Sequence, residues 1–196
     1  MTELKIYINK LVSLSPEKID FILSHFKKVV IPKDTYFINI DETCDCVGFL
    51  TKGIVRFYYQ SKDNQETTCY FAFPNEFITS KYSFNTRKPS KEALKAIIDS
   101  EIFVIHRSDL EKLYLEVPET QKVTQFVYDN FSNILMKRIA MLQINSAEER
   151  YQYLLKNKPY LLQSVPLQYL ASFLGVTPQH LSRLRKAKTS VKQELI

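Results

Sequence analysis

Residues 166–186 read PLQYLASFLGVTPQHLSRLRK. Leu167, Leu170, Ala171 and Leu174 recur at helical spacing and give a first short helix one apolar side. Gly175 follows at once, where a sharp turn needs a residue without a Cβ. Val176 is expected to pack inward and Thr177 to cap a second helix. Pro178 takes that helix's first position, where a missing N–H costs nothing. Leu181 and Leu184 then hold the second helix against the first, while Gln179, His180, Ser182, Arg183, Arg185 and Lys186 leave its other sides polar or basic.

Several constraints coincide in this stretch. Ala171 is small where two helices would cross closely, glycine comes four residues later, and leucines stand six and nine residues beyond the glycine. That spacing is the one expected of a helix-turn-helix, whose second helix enters the DNA major groove. The alternative is an ordinary αα-hairpin. A hairpin placed by packing alone has no reason to set Thr-Pro at the cap and leave three cations and no acid on the outer face.

The rest of the chain fits a nucleic-acid-binding tail on a separate module. Its 196 residues suffice for one large domain or two small ones, and 45% hydrophobic with 24% charged residues is a globular composition. The net charge is +6, yet residues 147–196 hold eight Lys or Arg against three acids and so carry +5 of it. No apolar run nears the ~20 residues of a membrane helix, and no secretory signal opens the chain. Three cysteines make no disulfide framework, so a reducing cytoplasm is the expected compartment.

In chain order, residues 1–28 predict helices, one built on Leu4, Ile8, Leu11 and Val12, the next capped by Ser15 with Pro16 at its start and Ile19, Ile22, Leu23 and Phe26 inward. His25 falls on a solvated face. Short β segments follow at 35–40, 47–51, 54–60, 66–73, 93–98 and 102–106, with Lys52-Gly53 among the turns between them. Strands at this spacing suggest a sandwich or jelly roll. Ser108 would cap a helix to 115. A long helix of about 27 residues then runs from 118 to 145, with one stripe through Val123, Val127, Asn130, Ile134, Lys137 and Met141 and another through Phe126, Phe131, Leu135, Ile139 and Leu142. One stripe suits the helix's own domain and the other a second copy. Residues 147–162 predict a further helix on Tyr151, Leu154 and Leu155, broken before Pro159, and 163–165 a short strand.

This order resembles the Crp/Fnr family of bacterial transcription regulators. The resemblance rests on residues 47–53 (VGFLTKG), 147–151 (AEERY), 170–177 (LASFLGVT) and 181–186 (LSRLRK), the last three similar to the family's subgroup common in Bacteroidetes. It implies an α+β chain with a cyclic-nucleotide-binding-like jelly roll at 1–115, a dimerisation helix at 116–145 and a helix-turn-helix domain at 146–196. It also implies double-stranded DNA, a second copy of the chain and RNA polymerase as partners. Members that bind cyclic AMP hold its ribose and phosphate with a Gly-Glu pair and a later Arg-Ser or Arg-Thr. Here the matching residues are Phe77-Ile78-Thr79-Ser80 and Ser90-Lys91-Glu92-Ala93, without that Glu or that Arg. A buried phosphate without a guanidinium would be poorly compensated, so the effector is expected to be something other than cyclic AMP, or absent. The ten residues after Lys186 are too few for the family's full β wing.

The expected DNA-binding residues are Thr177, Gln179, His180, Ser182, Arg183, Arg185 and Lys186. Arg183 suits a bidentate guanine contact, Gln179 an adenine or a phosphate, and His180 a base or the backbone; the remaining four suit phosphates. The family reads DNA with an Arg-Glu pair near the start of this helix, where Pro178-Gln179 stands here, so a different operator is implied. Catalysis has no support, because three glycines allow no phosphate loop and no nucleophile or zinc motif is present. Cys44, Cys46 and Cys69 lack iron–sulfur spacing, so neither metal nor cofactor is expected. Tyr58, Tyr59, Tyr70, Phe71, Phe73, Phe77 and Tyr82 could line a ligand pocket, although strand spacing favours the core. The competing reading is a ligand-binding sensor whose helical tail binds a protein.

Overall fold

The computed structural model describes the backbone of residues 1–193 and the side chains of residues 1–186. Helices α1 (Thr2–Leu11) and α2 (Pro16–Ser24) open the chain, with Leu4, Ile8, Ile19, Ile22 and Leu23 buried as the periodicity predicts, but the helical reading to 28 runs too far, because Lys27 and Lys28 already belong to a strand. Ser15 caps α2 by accepting from Lys18 N at 3.4 Å. The strands are β1 (Lys27–Ile31), β2 (Tyr36–Ile38), β3 (Cys46–Gln60), β4 (Glu66–Ala72) and β5 (Glu76–Ile78), followed after helix α3 (Lys81–Thr86) by β6 (Glu92–His106). They lie in the order β1-β6-β3-β4, with β2 beside β6 and β5 beside β3. The result is the antiparallel, jelly-roll-like part of an α+β fold.

Two of the expected breaks are absent. The segments at 47–51 and 54–60 form one strand, β3, and those at 93–98 and 102–106 form one strand, β6. The two pair from Cys46↔His106 to Tyr59↔Glu92, and their register shifts around Lys52 and Gly53. Gly53 has φ 111°, and a Cβ there would stand 2.0 Å from Ser100 Oγ. Lys52-Gly53 is therefore a bulge within a strand, where glycine admits a close backbone approach, and not a turn.

Leu50, Val55, Phe57, Leu94, Ala96 and Ile102 belong to one buried cluster of the sheet. A second cluster joins Phe49 and Ile105 to the apolar sides of α1 and α2 and to Leu113, Val117 and Val123. Helix α4 (Arg107–Glu116) starts one residue before the expected cap, with His106 at the cap position and no side-chain bond there, so Ser108 does not cap it.

Helices α5 (Thr120–Ile144), α6 (Ala147–Asn157), α7 (Leu161–Ser164), α8 (Leu167–Leu174) and α9 (Pro178–Gln193) complete the described chain. Residues 163–165 do not form the expected strand. Ser164 N donates to Tyr160 O and Val165 N to Leu161 O, both at 3.0 Å, and close a helical turn. Helix α9 continues past Lys186 to Gln193. The side chains of Lys188, Lys192 and Glu194, which count in the basic tail, lie outside the described residues.

The chain divides into two compact units. The first comprises Met1–Tyr59 with Tyr70–Ser132, and the second Gln60–Cys69 with Asn133–Ile196. The boundary falls inside α5. On its first half Val123 is buried, and Val127, Tyr128 and Phe131 are half-buried.

Candidate nucleic-acid interface

Helix α8 ends at Gly175, which has φ 68° and ψ 37°. Val176 N donates to Ala171 O at 3.0 Å and Gly175 N to Ser172 O at 3.1 Å. These two bonds are the Schellman closure that a left-handed residue permits. Thr177 then caps α9, its Oγ1 accepting from His180 N at 3.1 Å, with Pro178 next. Leu181 is fully buried and Leu184 half-buried, so α9 is held by one apolar side.

The opposite side faces solvent. Gln179, Arg183 and Lys186 are exposed, and their spacing of four and three residues puts them on one stripe. Thr177 is exposed at the helix start, and His180 and Ser182 are half-buried beside the stripe. Arg185 is also half-buried and sends Nη2 toward Leu162 O at 3.4 Å. Of the seven expected contact residues, Arg185 is thus the one tied to its own unit by a described bond of its guanidinium. No acid stands in the first turn of α9.

Two arginines in the second unit, Arg150 buried and Arg138 half-buried, brace this arrangement, and sequence spacing gave no role to either. Arg150, on α6, donates from Nε to Leu174 O at 2.9 Å and from Nη1 to Asn145 O at 2.5 Å. It supplies donors and positive charge to the carbonyl-rich ends of α8 and α5. Helix α6 is itself fixed by a capping box, in which Ser146 Oγ accepts from Glu149 N at 3.2 Å and Glu149 Oε2 accepts from Ser146 N at 2.6 Å. Arg138, on α5, donates to Cys69 O at 2.9 Å and to Phe173 O, and lies 3.6 Å from the centroid of the Phe173 ring. Burial lowers its pKa to about 10, so it stays charged near neutrality. Ser172 accepts from Thr68 N at 2.9 Å, and it joins the β3–β4 hairpin tip to α8 within the same unit.

The residues matching the family's phosphate cassette meet in the first unit. Ser80 and Ser90 are fully buried with their hydroxyls 2.8 Å apart, and Ser80 Oγ donates to Glu92 Oε1 at 3.1 Å. Burial pushes the Glu92 carboxyl up, while hydrogen bonds from Ser80 and Tyr59 oppose the shift. A carboxyl group thus shares this buried cluster with two hydroxyls, and no arginine enters it among the bonds described. Arg87 donates to Cys44 O at 3.2 Å instead, and Lys91 Nζ lies 5.4 Å over the Tyr82 ring.

Cys44 and Cys46 are both buried and reduced, and Cys69 is half-buried. The Cys44 thiol donates to Cys46 O at 3.3 Å, and Cys44 together with burial holds the Cys46 thiol well above the ordinary range. Among the described residues no three His, Cys, Asp or Glu side chains are grouped to hold a metal ion, and no helix is long and apolar enough to cross a membrane.

Residues 28–116 match the cyclic nucleotide-binding domain. Several solved structures share the fold over most of the chain. FixK2 from Bradyrhizobium japonicum is 20% identical, with 85% of this chain and 86% of that one covered and a TM-score of 0.73. CLP from Xanthomonas campestris, described as a c-di-GMP responsive global regulator, is 16% identical, with 91% and 93% covered and a TM-score of 0.72. A putative transcriptional regulator of the Crp/Fnr family from Eubacterium rectale is 15% identical, with 90% and 84% covered and a TM-score of 0.71. Compared by sequence alone, no curated protein matches. Residues 28–116 are therefore similar to a cyclic nucleotide-binding domain, and the chain shares its fold with these solved structures, a Crp/Fnr regulator among them.

Proposed function

We propose that the chain is a sequence-specific, DNA-binding transcription regulator of the Crp/Fnr type, not an enzyme, and that it works as a homodimer on a palindromic operator. The observation that carries this reading is the outward stripe of Gln179, Arg183 and Lys186 on a helix whose Leu181 is fully buried and whose start is fixed by Thr177 and Gly175. Such a helix offers planar and cationic groups to base edges and phosphates while its backbone stays rigid. In a two-fold dimer, two copies would enter successive major grooves about 34 Å apart.

In this reading residues 1–115 form a sensor domain, 116–145 a dimerisation helix and 146–196 the DNA-binding domain. Cyclic AMP is not the effector, because the Ser80–Ser90–Glu92 cluster presents a carboxylate, not a guanidinium, to an incoming phosphate. RNA polymerase is the further partner that regulation of this type engages.

Selection of bound duplexes from a random pool tests the proposal. A two-fold symmetric consensus is the expected result, and recovery of no preferred sequence overturns it. A salt titration on random duplex adds a second check, because phosphate contacts make affinity fall steeply with salt. A flat response would favour a tail that binds protein.

A further inference from the structure

Within the first unit a partly open cavity of about 90 Å³ lies among α1, α2, α4, the first half of α5 and the sheet. That volume is several times the roughly 10–15 Å³ one water needs. Ile8, Phe26, Leu113, Val123, Val127 and Phe131 make its walls apolar. Of the aromatic residues singled out in the sequence, Phe77 lines it and the other six do not.

The polar groups on these walls are few and mostly committed. Thr79 Oγ1 donates to Cys46 O at 3.0 Å, Thr120 Oγ1 to Val117 O at 2.7 Å, and Thr124 Oγ1 accepts from Tyr114 OH at 2.9 Å. Lys81 differs. Its Nζ lies 4.4 Å over the Tyr128 ring, and among the described residues no carboxylate stands within ion-pair distance of it. Burial pushes the Tyr128 phenol up, so it remains neutral beside that ammonium.

We propose that this cavity is a binding site for an apolar chain ending in a carboxylate, with the chain against α5 and the carboxylate on Lys81. A sugar or nucleotide would leave its hydroxyls and amides unpaired against Ile, Val, Leu and Phe walls. A neutral hydrocarbon would leave the ammonium unanswered, whereas a carboxylate gives it a charge-assisted hydrogen bond. Filling the cavity adds dispersion contacts to Val123, Val127 and Phe131 on one helix.

Calorimetric titration of the full chain with octanoate, octan-1-ol and acetate tests the site. Octanoate should bind one per chain, octanol at least tenfold more weakly, and acetate not measurably. Lys81→Gln, at the start of α3 and outside the buried clusters, should weaken octanoate at least tenfold and leave octanol within about twofold. Val127→Phe should weaken both ligands if the variant keeps its near-ultraviolet dichroism. Absence of octanoate binding, octanol bound as tightly as octanoate, or unchanged octanoate affinity in Lys81→Gln would each overturn the assignment. No arm uses DNA, so this site and the DNA-binding reading can fail separately.

Discussion

Arg150 Nε donates to the Leu174 carbonyl at 2.9 Å, so a buried side chain on α6 closes the last turn of α8. The same guanidinium satisfies Asn145 O beyond α5. Replacing it with methionine keeps much of the volume and removes every donor. Buried carbonyls left without partners should cost about 2–3 kcal/mol. Urea denaturation of Arg150→Met against the parent chain measures this, and a loss below about 0.5 kcal/mol would show that the carbonyls find other donors.

Gly175 follows Leu174 directly and carries φ 68°, so its substitution tests the turn separately from its brace. A Cβ there would stand 3.3 Å from Leu142 Cδ2, a contact that needs a small adjustment. The left-handed backbone adds about 1–2 kcal/mol for alanine. Asparagine tolerates that region better, so Gly175→Asn should lose less than Gly175→Ala in the same denaturation experiment. Equal losses would assign the cost to crowding at Leu142 and not to the backbone.

Much of this turn was legible because its chemistry is local. Gly175, Thr177, Pro178 and Leu181 each act on neighbours within a few residues, and each does in the structure what its type and spacing predict. Arg150 and Arg138 were not legible as braces, since their partners lie far off in sequence, with Leu174 24 residues away from the first and Cys69 69 residues away from the second. The Ser146–Glu149 box, by contrast, is local and carries its signal in the S-x-x-E spacing. Lys52-Gly53 shows a different limit, because glycine marks both turns and bulges. Only the pairing of β3 along the whole of β6 decides between them. The Ser80–Ser90–Glu92 cluster lay in segments already aligned by resemblance, but only the fold shows the carboxylate turned onto the serines.

Arg183 and Arg185 should separate DNA affinity from stability. Arg183 is exposed, and its replacement by alanine should cost about 1–3 kcal/mol on the selected operator and relax one position, with folding unchanged. Arg185 bonds Leu162 O at 3.4 Å, so Arg185→Ala should lower the unfolding midpoint as well as binding. Equal weakening of Arg183→Ala on operator and random duplex would make Arg183 a backbone contact.

Glu92 gives a pH signature. Its carboxyl is pushed up by burial, so the folded chain holds that proton more tightly than the unfolded chain does. The group's stabilising contribution is complete below the ordinary carboxylate pKa and is lost as pH rises through the raised folded value. Glu92→Gln removes the ionisable group, so its melting temperature should exceed the parent's near about pH 7.5 and converge on it below about pH 4. A gap independent of pH would mean the carboxyl is not titrating in this range. Calorimetry with cyclic AMP should show no binding to the parent chain, since the cluster offers no guanidinium to the phosphate.

Helix α5 tests the assembly. Met136, Ile139 and Leu142 recur every third residue and are 65%, 48% and 38% exposed. Large apolar side chains in such a row are ordinarily covered, and in the proposed dimer a second copy of the helix would cover them symmetrically. A charge at Ile139 would be buried twice in a two-fold dimer and would touch little in a single chain. Losing two buried isoleucines amounts to about 3–6 kcal/mol per dimer, so Ile139→Asp should weaken self-association by about a hundredfold or more. Sedimentation equilibrium reads this directly, and circular dichroism should show each chain still folded. Operator affinity should fall with dimerisation, because a lone recognition helix reads half a site. A variant that dimerises as well as its parent would move the interface off this row and leave Phe126, 46% exposed, as the next place to look; at 100° per residue it lies off the line of Ile139 and Leu142 on which the sequence reading set it.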